Sequence, residues 1–289
     1  MFSCNRSSNS HNINMLKYNN IQLKKIIRFV ILGMTLLFTI VILVYPIFST
    51  LDPFVMDMQN ILSPPTSRHW FGTDIYGRDV FARVIFGGRV TLAIAASAVG
   101  LGLFLGLPLG LLPLWAPKWL GEVVRRLVDM MLAWPGIFLA LALMGLLGPG
   151  ERNLVIALGL VRAPRIALVC HNTGRKVMEE TFIEAARSFG AGGLHIATKH
   201  VLPNILPVLI VQVIFQLGSG ITAETALSFL GVGVMPPKPS WGNVVADGKN
   251  VLQVAPWISL LAGSIIIMFV LFINLTGDVL TDMLTPKRK

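Results

Sequence analysis

The chain has 289 residues, of which 54% are hydrophobic and 13% charged, with a mean hydropathy of +0.71 and a net charge of +10. An ordinary soluble domain carries about 25% charged residues, so this composition excludes a soluble globular protein. The apolar residues fall in long runs, which fit membrane helices rather than the alternating strands of a barrel.

The first twenty residues are polar and rich in Ser and Asn, and read as a disordered tail ahead of the first apolar run. Either Met1 or Met15 can serve as the start. Six stretches then approach the roughly 20 apolar residues that a membrane helix needs: residues 26–48, 90–115, 127–147, 154–170, 205–230 and 257–280. The third contains Pro135, and the fourth is short enough to be a buried half-span. With an inside N-terminus, the inside segments carry five Lys and Arg in the tail to Arg28, three in 116–126, six in 161–203 and three from Lys287. Only seven of the 24 basic residues then fall outside, which places both ends in the cytoplasm. The positive charge is thus a topology signal and does not point to nucleic acid. The cysteines, Cys4 and Cys170, fit no disulfide or metal-ligand spacing.

Gly102, Gly106 and Gly110 recur every four residues in the second span. Small residues one turn apart let helices approach closely. The spacing fits packing within one bundle and contact with a second membrane subunit equally well.

The inside segment between the fourth and fifth spans is charged and punctuated by glycine. Met178, Phe182, Ala185, Ala186 and Phe189 share one helical face, and Gly190, Gly192 and Gly193 follow as a helix stop. A second short helix from Leu194 to His200 leads to Pro203 and Pro207, which suit the first turn of the fifth span. Two readings remain: a helix lying on the membrane face, or one inserted into a protein groove. Small alanines beside Glu184 favour the groove.

Other candidate sites are few. There is no phosphate-binding loop, nucleophile elbow or zinc motif. His195 and His200 are five residues apart, off the i, i+4 spacing of metal ligands on a helix. No cofactor is expected. Asp129 and Asp278 lie near cytoplasmic span ends. Gln212, Gln216, Gly220 and Glu224 form a polar stripe down the fifth span, which lines either the transport pathway or a contact between membrane subunits. The Pro- and Gly-rich stretch 231–242 lies outside, and Trp241 and Trp257 have the positions of interface anchors.

Glu184-Ala185-Ala186, Gly190, His200 and Leu202-Pro203 resemble the Glu-Ala-Ala loop of ABC importer permeases. Further segments resemble the C-type permease of the dipeptide, oligopeptide and nickel transport family. They are Phe71-Gly72-Thr73-Asp74 with Gly77-Arg78-Asp79 and Gly88-Arg89, then Asp129 with Pro135, Leu139-Ala140 and Gly148-Pro149-Gly150. After these come Ala226 to Gly233, Pro236-Pro237, Ser240-Trp241-Gly242, Asn274, Gly277-Asp278 and Pro286. The chain departs from the family at Leu168 and His171, where arginines are frequent, and at Thr281 and Thr285.

The resemblance implies an all-α membrane protein with six spans, a type I importer permease occupying residues 26–286 (core 88–280) after a cytoplasmic tail over 1–25. A coupling loop over 172–204 would hold the coupling helix. Phe182, Ala185 and Ala186 would be the inserted face, Glu184 a charged contact, Gly190 the turn, and His200, Leu202 and Pro203 the exit of the loop. The implied partners are a second permease, two cytoplasmic ATPases, an extracytoplasmic substrate-binding protein and membrane lipid. The implied cargo is a small peptide, nickel or a metal chelate, with ATP hydrolysis on other subunits. The competing readings are a stand-alone secondary transporter, which predicts internal repeats, and a membrane-assembly protein, which has no need of the Glu-Ala-Ala loop.

Overall fold

The computed structural model describes residues 6–284, with side chains from residue 22 except residue 24. Cys4, Thr285, Pro286 and the basic residues at 287–289 lie outside the described residues. The helices are α1 (Arg6–Phe48), α2 (Val80–Leu111), α3 (Lys118–Leu132), α4 (Gly136–Leu147), α5 (Glu151–Met178), α6 (Thr181–Ser188), α7 (Gly193–Ile196), α8 (Leu202–Phe229), α9 (Trp241–Lys249) and α10 (Pro256–Leu284). A wider turn over Ala197–Val201 joins α7 to α8, so Gly193–Phe229 is one continuous rod. Among the described residues five helices are long and apolar enough to cross a membrane, and six crossings result if α3 and α4 count as one.

Several sequence expectations change here. The expected tail over 1–20 is helical from Arg6 onward, continuous with the first span. The expected third span, 127–147, is two helices meeting at a 92° bend. Pro135 causes the break, because it has no N–H to donate and it excludes the preceding residue from helical geometry. Its carbonyl instead accepts from Phe138 and Leu139 to start α4. The fourth span is not a half-span: α5 runs 28 residues, through Pro164 to Met178. Arg162 and Arg165, counted above with the inside insert, therefore sit in the middle of a membrane helix.

The glycine stripe of α2 packs within the chain. A Cβ at Gly106 would stand 2.5 Å from the Ala163 carbonyl oxygen, and one at Gly102 2.9 Å from Arg162 Cβ. At Gly110 it would collide with Ala167 and Cys170. The partner numbers rise together, so α2 and α5 run parallel, and α3–α4 make the return crossing between them. Backbones this close leave no room for a side chain at these three positions.

Antiparallel contacts complete the bundle. Thr35 Oγ1 lies 2.8 Å from Thr276 Oγ1, Arg28 pairs with Asp282 at 2.9 Å, and Phe38 packs on Phe269 and Phe272 between α1 and α10. Gly218 of α8 admits Asn274 of α10, and Gly277 of α10 admits Phe215. The descending half of α10 thus ends at the same end of the bundle as the start of α8 and α6.

The opposite end is closed by charge. Asp74 accepts from the backbone of Tyr76 and Arg78 and from Arg78 Nε (2.7 Å), while Arg78 and Arg83 both reach Asp247 on α9, at 3.2 and 2.9 Å. Gly72 and Gly77, both at φ +70°, shape this turn, and Asp79 caps α2 by accepting from Ala82 N. Burial raises the Asp247 carboxyl above its ordinary 3.8, with Arg83 and Arg78 acting in the opposite sense. Trp241 is not an interface anchor. It is fully buried, stacked edge-on to Phe269, and its Nε1 donates to the Val84 carbonyl at 2.8 Å.

Candidate coupling surface and membrane cavity

α6 is eight residues long, too short to be stable in isolation, so its position depends on what it touches. Ile183 supplies that contact. It is 0% exposed and joins one buried apolar cluster with Leu111 of α2, Ile166 and Cys170 of α5, and Ile196, Val201, Ile205 and Leu209 of the α7–α8 rod. Burying one such side chain contributes about 1.5–3 kcal/mol. The helix stops at Gly190 in a Schellman turn: Gly190 N donates to the Arg187 carbonyl and Ala191 N to the Ala186 carbonyl. Gly190 has φ +84° with no atom near a would-be Cβ, so conformation alone requires glycine there.

The opposite face of α6 is free. Phe182 is 43% exposed and Phe189 93% exposed, and Glu184 and Ala185 face outward, with Ala186 half-buried at the edge. The Glu184 carboxylate has no hydrogen bond or ion pair among the described residues; only its backbone carbonyl is used, by Ser188 Oγ. Phe182 and His195 flank His200, with ring centroids 6.3 and 5.9 Å away. Leu202 packs against the cluster that includes Ile183, Pro203 sits exposed in the first turn of α8, and Asn204 Nδ2 donates to the His200 carbonyl at 2.7 Å. Gly193 lies over Trp115, which fixes the loop to the end of α2. The structure thus brings Phe182 and His200 together beside Glu184, Ala185 and Gly190. Ile183 was absent from the sequence reading, since it stands off the stripe that runs from Met178 to Phe189. Its signal was its type: it is the β-branched aliphatic residue in a segment otherwise marked by Phe, Ala and charge.

The polar stripe of α8 divides. Glu224 is fully buried among the hydroxyls of Thr91, Thr225 and Ser240; Ser228 Oγ donates to its Oε1 at 2.7 Å and its Oε2 is unpaired. Ser228 Oγ also accepts from Val234 N, and Gly233 and Gly242 pack directly on Ser228. Glu224 therefore sits where α2, α8 and the 231–242 segment are knitted together. Gln216, in contrast, borders an open cavity of about 130 Å³ between α4, α5 and α8, alongside Ser219, Ala140, Arg162 and Arg165. Gln212 is half-buried and does not line that cavity. Arg162 and Arg165 were missed as site residues, although arginines within a membrane span are a direct sequence signal.

Residues 98–289 match the family described as the binding-protein-dependent transport system inner membrane component, and the chain belongs to that family. It is a multi-pass membrane permease of a multi-component transport system, which overturns the stand-alone and assembly readings. It is 39% identical over 231 residues to the dipeptide transport system permease protein DppC of Alkalihalophilus pseudofirmus, covering 80% of this chain and 76% of that one. It is 36% identical over 258 residues to the glutathione transport system permease protein GsiD of Escherichia coli O157:H7, covering 88% and 85%. Its fold resembles that of a chain of the MetNI methionine ABC transporter in inward-facing conformations, with a TM-score of 0.60 at 22% identity, covering 70% of this chain and 96% of that one. That likeness supports the type I importer permease architecture.

Proposed function

We propose that this chain is one of two permease subunits of an ATP-driven importer of short peptides, and that α6 is its coupling helix. The observation that carries the proposal is the division of α6: Ile183 holds it to the bundle while Phe182, Phe189 and the unpaired Glu184 are left for a partner. A cytoplasmic ATPase with an apolar groove and a basic rim is complementary to that face. Closure of two such ATPases would push α6. The apolar cluster that includes Ile183 also holds residues of α2, α5 and α8, so movement of α6 would be passed on through it.

In this reading residues 1–25 and the α10 end lie in the cytoplasm with α6, and the permease domain covers 26–286. A substrate-binding protein docks at the opposite end, where residues 235–238 are exposed and the largely buried Asp74–Asp247 network stiffens the turn beneath. Gln216 belongs to the pathway, whereas Gln212 and Glu224 serve packing. The names of the relatives favour peptide over metal chelate as cargo. Co-purification tests the proposal. The ATPase subunits should follow the wild-type permease through a detergent column and separate from a variant with Phe182 and Phe189 both changed to Ala. Undiminished ATPase retention and peptide uptake in that variant would overturn it.

A further inference from the structure

Arg162 lies halfway along α5, 4% exposed. It donates once, from Nη1 to the Leu158 carbonyl at 3.1 Å, and its Nε is buried without a partner. No ion pair reaches Arg162 or Arg165 among the described residues. A buried, unpaired cation costs several kcal/mol, and one carbonyl does not neutralise it. The facing helix makes room for this charge, since a Cβ at Gly220 would stand 3.1 Å from Arg162 Nη2. Both arginines line the cavity between α4, α5 and α8 together with the Gln216 amide and the Ser219 hydroxyl, and no carboxylate lines it. Ser219 Oγ donates to Gln216, at 3.1 Å to its backbone carbonyl and 3.2 Å to Oε1, so the lining's charge and free donors come from the buried Arg162 and the exposed Arg165. The cavity volume of about 130 Å³ is close to that of four waters in the liquid. That admits one end group, not a whole peptide.

We infer that this cavity is a binding point for the C-terminal carboxylate of the transported peptide. The inference rests on the peptide-importer reading above. A guanidinium matches a carboxylate in planar, two-point geometry, and the same charges repel the peptide's ammonium end, so the peptide engages the cavity carboxylate-first.

The test uses the assembled transporter carrying Ser219→Cys. Alkylation at position 219 is followed by mass spectrometry in the presence of dialanine or its C-terminal amide. Dialanine should slow the reaction and the amide should not. Arg162→Gln should raise the dialanine concentration needed by about tenfold or more, as expected for loss of a charge-assisted hydrogen bond. Equal protection by acid and amide, or protection unchanged in Arg162→Gln, overturns the inference. So does loss of the second permease from the Arg162→Gln complex, which would make the anion a side chain of that subunit. Uptake of labelled di- and tripeptides by the wild-type complex in proteoliposomes separates the two levels. With uptake intact, a negative protection result removes only this site; with no peptide uptake, the importer reading falls and the inference with it.

Discussion

Replacing Ile183 by Ala tests how α6 is held. The side chain is fully buried, and the substitution removes three carbons from an apolar cluster with members on α2, α5 and α8. At about 0.8 kcal/mol per buried carbon the transfer loss alone is roughly 2.4 kcal/mol, and a cavity raises the total into the range of about 2–5 kcal/mol. α6 has no other fully buried residue, so the loss falls on its local attachment rather than on the bundle. A loss of ~2 kcal/mol corresponds to about thirtyfold faster hydrogen exchange through local opening. The assay is amide exchange by mass spectrometry on the purified transporter, with peptide uptake measured in parallel. Exchange should rise over residues 181–190 and stay unchanged in the packed part of α2 and α5, and uptake should fall with it. Unchanged exchange in α6, or an equal rise throughout α2 and α5, would refute the reasoning.

Further outcomes follow from the same geometry. Gly190→Ala forces a side chain to φ +84° and should cost about 1 kcal/mol, read as partial loss of uptake with the permease still present in the membrane. Gly106→Leu should abolish accumulation of the protein, because the Cβ alone meets the Ala163 carbonyl at 2.5 Å; Gly145→Ala, with no atom within 4 Å, should accumulate normally, and immunoblotting of membranes compares the two. For Asp247 the native carboxyl titrates above its unfolded value of 3.8. The folded protein therefore holds this proton over the interval in which the unfolded chain has released it, and stability falls as pH rises through that interval. Thermal unfolding in detergent across pH should show wild type losing stability relative to Asp247→Asn from pH 3.8 upward until the raised value is passed; the opposite slope would count against the assignment.

The sequence by itself determined the solvent and the rough number of crossings. Runs of apolar residues with few charges have one stable home, and the intervening Glu-Ala-Ala segment stands out because charge is costly inside the membrane. The positions of Phe182, Glu184 and Gly190 were legible for the same local reasons: helical periodicity, and the left-handed turn that glycine favours. The bend at Pro135 was visible as a proline, but its 92° angle depends on neighbouring helices. Tertiary structure alone decided which faces meet. The Gly102–Gly106–Gly110 stripe serves α5 of its own chain, a choice that spacing could not make because any small-residue groove accepts any close helix. Trp241 became core rather than an interface anchor because Val84 offers its carbonyl. Glu224 and Gln216 lie on one helix, yet one is enclosed by the hydroxyls of Thr91 and Ser240 and the other opens onto the cavity beside Arg162. Ile183 matters only because folding brings it into one buried cluster with residues as distant as Leu111 and Leu209. Local chemistry is written along the chain, whereas burial is a property of partners that folding brings from elsewhere.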